Sequence, residues 1–129
     1  MRFKAFDYIV AKKEGEFMNL EERVKQLEFQ IQLLFRNTSI DRYFFETNVT
    51  KEQYLDILDY MDVIRTKIGA GEEVHHRTFE AEIYNIVPEY NGNYHFCESI
   101  TQLFAENHDW EEVFPALYGN MPKHGGEIE

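Results

Sequence analysis

The segment NLEERVKQLEFQIQLLFR, residues 19–36, decides the fold. Asn19 with Glu22 three residues later has the pattern of a capping box, in which side chains satisfy free backbone N–H groups at a helix start. Acidic residues occupy the first turn and Arg36 the last, and both complement the helix dipole. Asn37 is a residue type that accepts the left-handed backbone at a helix end. The segment therefore predicts a long helix.

Apolar residues in this helix recur at alternating steps of four and three, the a/d pattern of a coiled-coil seam. The five seam residues are Leu20, Val24, Leu27, Ile31 and Leu34. Because Phe29, Leu33 and Phe35 lie beside the seam, the helix is expected to bury more than one side. The seam is either the internal core of a bundle or a surface that packs against a second copy. These alternatives are compatible, and we expect self-association through the five residues.

Two further elements are predicted between residues 37 and 71. The stretch NTSIDRYFFETN at 37–48 is expected to form a helical turn or connector capped by Ser39 or Asp41. A second helix is predicted to start at a capping box of Thr50 and Gln53 and to end at a pair of glycines. Its inner face is predicted to hold Tyr54, Ile57, Leu58, Met61, Ile64 and Ile68.

Three more helices are predicted in the remainder of the chain. A third starts near Thr78 and ends at Pro88, which lacks a backbone N–H. A fourth covers about residues 96–106, and a fifth starts at a capping box of Asp109 and Glu112. Since no segment alternates apolar and polar residues as half-buried strands do, the sequence predicts an all-α fold, a compact bundle of about five helices.

Composition limits the class of protein. The 129 residues, 43% of them apolar, are enough for one domain with a core. With 24 acidic and 13 basic residues the net charge is −11, so no nucleic-acid partner is expected. No apolar run approaches the roughly 18 residues of a membrane span, so no membrane association is expected. The single Cys97 excludes an internal disulfide, which favours a cytoplasmic location.

The N-terminal 17 residues, MRFKAFDYIVAKKEGEF, stand apart from the capped helix. They can be placed on its heptads as an extended coiled coil, although Gly15 inside a helix costs about 1 kcal/mol. Alternatively, codons for KKEGEF accommodate a ribosome-binding sequence ahead of Met18, which predicts Met18 as the natural start. We expect one helical domain over residues 18–119 and a disordered tail over 120–129.

Four segments resemble the YhaI-like family, small proteins of Bacillus and its relatives that carry a domain of unknown function. They are RVKQLEFQIQLL (23–34), DRYFF (41–45), TFE (78–80) and ESITQLFAENHDWEEVF (98–114). The resemblance covers roughly residues 20–124 and leaves residues 1–17 outside, in agreement with a start at Met18. It implies an all-helical bacterial protein that self-associates, and it implies no activity and no site residues.

The segment GEEVHHRTFEAEI, residues 71–83, places two histidines among four carboxylates. If this segment were one continuous helix, its histidines and carboxylates spaced three or four residues apart would share a face, as helical metal sites require. The candidate metal ligands are His75, His76, Glu73 and Glu80. Glycines at 69 and 71 and a helix cap at Thr78 predict a loop over 72–77 instead. We therefore expect no bound metal, and a pH-responsive histidine contact stays open.

No catalytic residue or cofactor is expected. His95 and Cys97, two residues apart, would lie on different faces of a helix, unlike a Cys-His nucleophile pair. No phosphate-binding loop or hydrolase motif occurs. We expect a non-catalytic helical protein that self-associates and binds another protein in a regulatory or adaptor role. The alternatives are a small enzyme or metal-binding protein using the His75/His76 region, and an acidic protein that occupies a nucleic-acid-binding partner.

Overall fold

Six α-helices and one short 3₁₀ helix make up residues 19–120, the part of the chain that the computed structural model describes. They are α1 Leu20–Arg36, α2 Ser39–Glu46, α3 Lys51–Gly69, α4 His76–Ile86, the 3₁₀ helix Pro88–Tyr90, α5 Tyr94–Glu106 and α6 Val113–Tyr118. Within this range no strand occurs, and the prediction of an all-α fold is confirmed. The predictions on residues 1–17, on Met18 and on the tail beyond residue 120 lie outside the described range.

Local sequence signals set the ends of α1 and the start of α3. The Asn19 side chain accepts a hydrogen bond from the backbone N–H of Glu22 at 2.8 Å, and Asn37 ends α1 with a left-handed φ of 55°. At α3 the capping box is reciprocal, because Thr50 and Gln53 each bond the other's backbone N–H at 3.1 and 3.0 Å. The predicted ends of α1 and the capping box of α3 are confirmed, and of the predicted box at α1 the Asn19 half is formed.

The connector forms a complete helix, and its predicted cap is wrong. The cap of α2 is Thr38, whose hydroxyl oxygen accepts from the backbone N–H of Asp41 at 3.2 Å. The same hydroxyl donates to the Asp41 carboxylate at 2.7 Å, and Arg36 binds that carboxylate from the end of α1. The short link between α1 and α2 is therefore fixed by side-chain hydrogen bonds.

The predicted start of α4 at Thr78 is also wrong. The helix begins at His76, and His75 is its N-cap residue without a side-chain capping bond. Phe79 and Ile83 on its inner face are fully buried, as predicted, and the helix ends at Ile86, before the proline. Burial of this apolar face stabilises the helix although no side-chain cap is present.

The predicted capping box of the fifth helix does not form. Residues 107–112 make turns instead, and α6 begins only at Val113. His108 and Trp110 have φ values of 65° and 47°, which lie in the left-handed region and interrupt a right-handed helix.

Contacts with α3 hold this turn in place. The Trp110 indole N–H donates to the carboxylate of Asp62 at 2.8 Å. Arg65, one turn further along α3, forms an ion pair with Glu112, and one of its two hydrogen bonds measures 3.0 Å. These partners are 48 and 47 residues apart in the chain, so local sequence carries no sign of them.

A single apolar core joins the six helices. Its fully buried side chains include Leu33, Phe44, Ile57, Met61, Phe79, Ile83, Phe96, Ile100, Val113 and Tyr118. Within α1, only Phe29 and Leu33 are buried. The first helix thus contributes one narrow face to the core and leaves its other faces on the surface.

Candidate functional site: the outward face of the first helix

All five seam residues of α1 are exposed on the protomer. The exposed fractions are 74% for Leu20, 45% for Val24, 58% for Leu27, 64% for Ile31 and 48% for Leu34. Phe35, beside the last of them, is 88% exposed. The interpretation of the seam as an internal bundle core is therefore wrong. We call these six residues the outward face.

The opposite side of α1 packs against the rest of the protomer. The Phe29 ring lies 5.2 Å from that of Tyr54 on α3, and Leu33 is fully buried. Gln26 donates from its side-chain amide to the carbonyl of Val49 at 3.1 Å. These contacts fix the rotation of α1 about its axis, and that rotation directs the seam away from the core.

The end of α1 is held by a buried carboxylate. Asp41 is 5% exposed and accepts hydrogen bonds from Arg36 at 3.2 and 3.3 Å. Arg42, its neighbour in sequence, instead donates to the backbone carbonyl of Asn37 at 2.8 Å. Beside the Arg36–Asp41 pair lies an open cleft of about 270 Å³, lined in part by Tyr54 and Trp110. The pair therefore secures the junction through which the outward face is attached to the rest of the protein.

The histidine segment is split between a loop and α4. Glu73 and His75 lie in the loop, with both side chains mainly exposed and 3.8 Å between carboxylate and imidazole. His76 and Glu80 lie one turn apart on α4, with 3.5 Å between His76 Nδ1 and Glu80 Oε2. No group of three or more potential metal ligands comes together within residues 19–120. The prediction of a loop is correct for residues 72–75 and wrong for His76 and Arg77, which are helical.

Glu80 belongs to a polar cluster that the sequence did not predict. The hydroxyl of Tyr118 on α6 donates to Glu80 Oε2 at 2.7 Å, and Tyr118 is fully buried. Burial raises the pKa of Tyr118 above its ordinary value, and the acceptor Glu80 raises it further. Tyr118 follows Phe114 by one helical turn, a spacing that could have marked it as a core position.

Cys97, on α5, is buried and remains a thiol. Burial raises its pKa to about 12, and the nearby Glu80 carboxylate acts in the same direction. A thiolate, the nucleophilic form, is therefore disfavoured at neutral pH. His95 is exposed and its ring lies against that of Tyr94, 4.2 Å between centroids.

Comparisons with protein-family models, with curated proteins and with solved structures found no match for this chain. Among residues 19–120, no helix combines the length and apolar character that crossing a membrane requires. The geometry of the outward face and of the His76–Glu80–Tyr118 cluster is thus the basis for a functional proposal.

Proposed function

We propose that this chain is a non-catalytic helical protein that self-associates through the outward face of α1, and that the assembly binds another protein in a regulatory or adaptor role. The observation that carries the proposal is the exposure of all five heptad residues on a helix whose opposite side is packed. Contiguous exposed apolar surface of this kind marks interaction sites.

Association through this face needs no rearrangement of the protomer. The seam side chains are already on the surface, while Phe29 and Leu33 anchor the helix from the other side. Removing apolar surface from water contributes about 25 cal/mol per Å². A partner helix that covers the seam therefore gains this contribution without opening the core.

The binding of another protein is supported by charge and by valency. The net charge of −11 disfavours nucleic acid as a direct partner and suits basic protein surfaces. An oligomer repeats each protomer surface, so weak contacts with a multivalent partner combine into a stronger one. Membership of the YhaI-like family stays a prediction, and it implies the same fold and self-association.

The molar mass in solution tests the proposal. We expect the full chain to exceed its monomer mass of 15.5 kDa in light scattering coupled to size exclusion. The double change Val24→Glu with Ile31→Glu should give a folded monomer, because both side chains are exposed in the protomer.

A matched control uses two exposed apolar residues of α3. Leu55 and Val63 are each 45% exposed, as Val24 is. The double change Leu55→Glu with Val63→Glu adds the same charge and should leave the oligomer intact. A monomeric wild type, or an α1 double variant with unchanged mass, would contradict the proposal.

The rival function, a small metal-binding protein or enzyme, rests on the 3.5 Å approach of His76 to Glu80. It predicts a stoichiometric metal ion that is lost in His76→Ala. Metal analysis of the purified protein separates the two proposals.

A further inference from the structure

We infer that the outward faces of two copies pair in parallel and in register, an orientation set by Arg23 of one copy and Glu28 of the other. This inference rests on the self-association proposed above and specifies its geometry. It follows from the residues that flank the seam, together with the rotation of α1 that the protomer core imposes.

The flanking charges follow from the heptad assignment. Val24 and Ile31 occupy a positions, and the three seam leucines occupy d positions. The e positions hold Glu21, Glu28 and Phe35, and the g positions hold Arg23 and Gln30. In a parallel coiled coil, a g residue faces the e residue five positions later on its partner. Arg23 therefore faces Glu28 of the second copy, twice by symmetry.

Within the described part of the chain, both charges are available for this contact. Arg23 and Glu28 are exposed on the protomer. Within residues 19–120 neither forms an ion pair in its own chain, since the ion pairs there involve other residues. Pairing across the seam thus does not compete with an existing salt bridge among the described residues.

Antiparallel pairing opposes like charges. In the antiparallel register with the greatest overlap of α1, Val24 packs against Leu34 of the second copy, and e positions face e positions along one side of the seam. Glu28 then faces Glu28 of the second copy on that side, and Arg23 has no acidic residue opposite it on the other side. Among parallel coiled coils, β-branched residues at a with leucine at d favour two strands. The charges therefore favour the parallel orientation, and the seam composition suits a two-stranded parallel pair.

The parallel orientation has a functional consequence. Phe29 and Leu33 pack against the rest of the protomer on the side of α1 opposite the seam. The two protomers therefore lie on opposite sides of the paired helices. The symmetry axis then runs along the helices, and equivalent surfaces of both protomers point towards the same end. A partner with two equal binding segments can contact both protomers from one end of the assembly.

Disulfide trapping in the full chain tests the orientation. Each variant carries Cys97→Ala, which leaves the introduced cysteine as the one thiol. Leu27→Cys should form a disulfide-linked dimer on mild oxidation, because position 27 meets itself in a parallel register. A mixture of Val24→Cys and Leu34→Cys chains, left to exchange, should form only the two homodimeric disulfides, which intact mass spectrometry resolves.

Charge reversal gives a second measurement. Arg23→Glu should raise the dissociation constant of the dimer by about threefold to tenfold. This is the range expected when exposed ion pairs are lost and replaced by repulsion. Adding Glu28→Arg to that variant should restore most of the affinity, as measured by sedimentation equilibrium.

The outcomes separate the orientation from self-association. Mixed disulfides between positions 24 and 34, with an oligomeric wild type, would overturn the parallel orientation and leave the proposed function standing. A wild type that stays monomeric and traps no disulfide would overturn both.

Discussion

The hydroxyl of Tyr118 donates a hydrogen bond to Glu80 Oε2 at 2.7 Å and so joins α6 to α4 across 38 residues of sequence. Glu80 is 13% exposed at its side chain, and His76 Nδ1 lies 3.5 Å from the same oxygen. Because α6 has only six residues, it is too short to be stable alone, and tertiary contacts such as this one hold it.

Removing the Tyr118 hydroxyl should destabilise the fold. We expect Tyr118→Phe to lower the free energy of unfolding by ~1–3 kcal/mol, because a buried hydrogen bond to a carboxylate is lost. Urea denaturation measures the change. Glu80→Gln keeps a hydrogen-bond acceptor and should cost less; an equal or larger loss in Glu80→Gln would show that the charge, and not the bond, matters.

Stability should decline at alkaline pH. Burial raises the pKa of Cys97 from 9.0 to about 12, and it also raises that of Tyr118 above 10.0. The stability that the neutral forms of these two groups contribute is fully present below their unfolded-state pKa values. It is lost as the pH rises towards their folded-state pKa values. Each group that ionises only in the unfolded chain costs about 1.4 kcal/mol per pH unit.

The alkaline decline can be measured by urea denaturation at pH values between 8 and the folded-state pKa of about 12 for Cys97. Cys97→Ala should reduce the slope of stability against pH in this window. A slope identical to that of the wild type would show that the thiol does not contribute.

The thiol of Cys97 should resist modification in the native protein. It is fully buried and its raised pKa keeps it protonated, so a thiol-specific reagent at pH 8 should label it only after unfolding in urea. Val63→Cys, on the exposed side of α3, provides an accessible thiol in the same chain as a control. Rapid labelling of native wild type would indicate local opening of α5.

The buried carboxylate of Asp41 should be important for stability. Asp41→Ala removes the acceptor of Arg36 and Thr38 at the junction of α1 and α2, and we expect a loss of ~1–3 kcal/mol. Glu46→Ala removes an exposed carboxylate from the same helix and should change stability by less than about 0.5 kcal/mol. Thermal unfolding of the two variants tests this contrast, and equal effects would contradict it.

Zinc should not bind tightly to the histidine segment. Its two imidazole–carboxylate pairs, His75 with Glu73 and His76 with Glu80, are separate pairs of two groups each. Zinc sites in proteins hold three or four ligands. Calorimetric titration should therefore show no stoichiometric binding at micromolar zinc, and tight binding that is lost in His76→Ala would reverse this expectation.

The helix ends that the sequence predicted correctly depend on local interactions. Asn19, Thr50 and Asn37 each act through backbone groups within a few residues, so their effect can be read without knowing the fold. The start of α4 was missed because burial of Phe79 replaces a side-chain cap. The start of α6 was missed because Trp110 is held by Asp62, 48 residues earlier in the chain.

The sequence by itself determined that α1 is a helix with a heptad seam, because hydrophobic spacing and caps are local properties. It did not determine which side of that helix enters the core, since Phe29 and Leu33 form a second apolar face on the same helix. Only the tertiary structure decided between the two faces. Phe29 and Leu33 pack against the core that includes α3, and because no other helix within residues 19–120 covers the opposite side of α1, the seam stays on the surface.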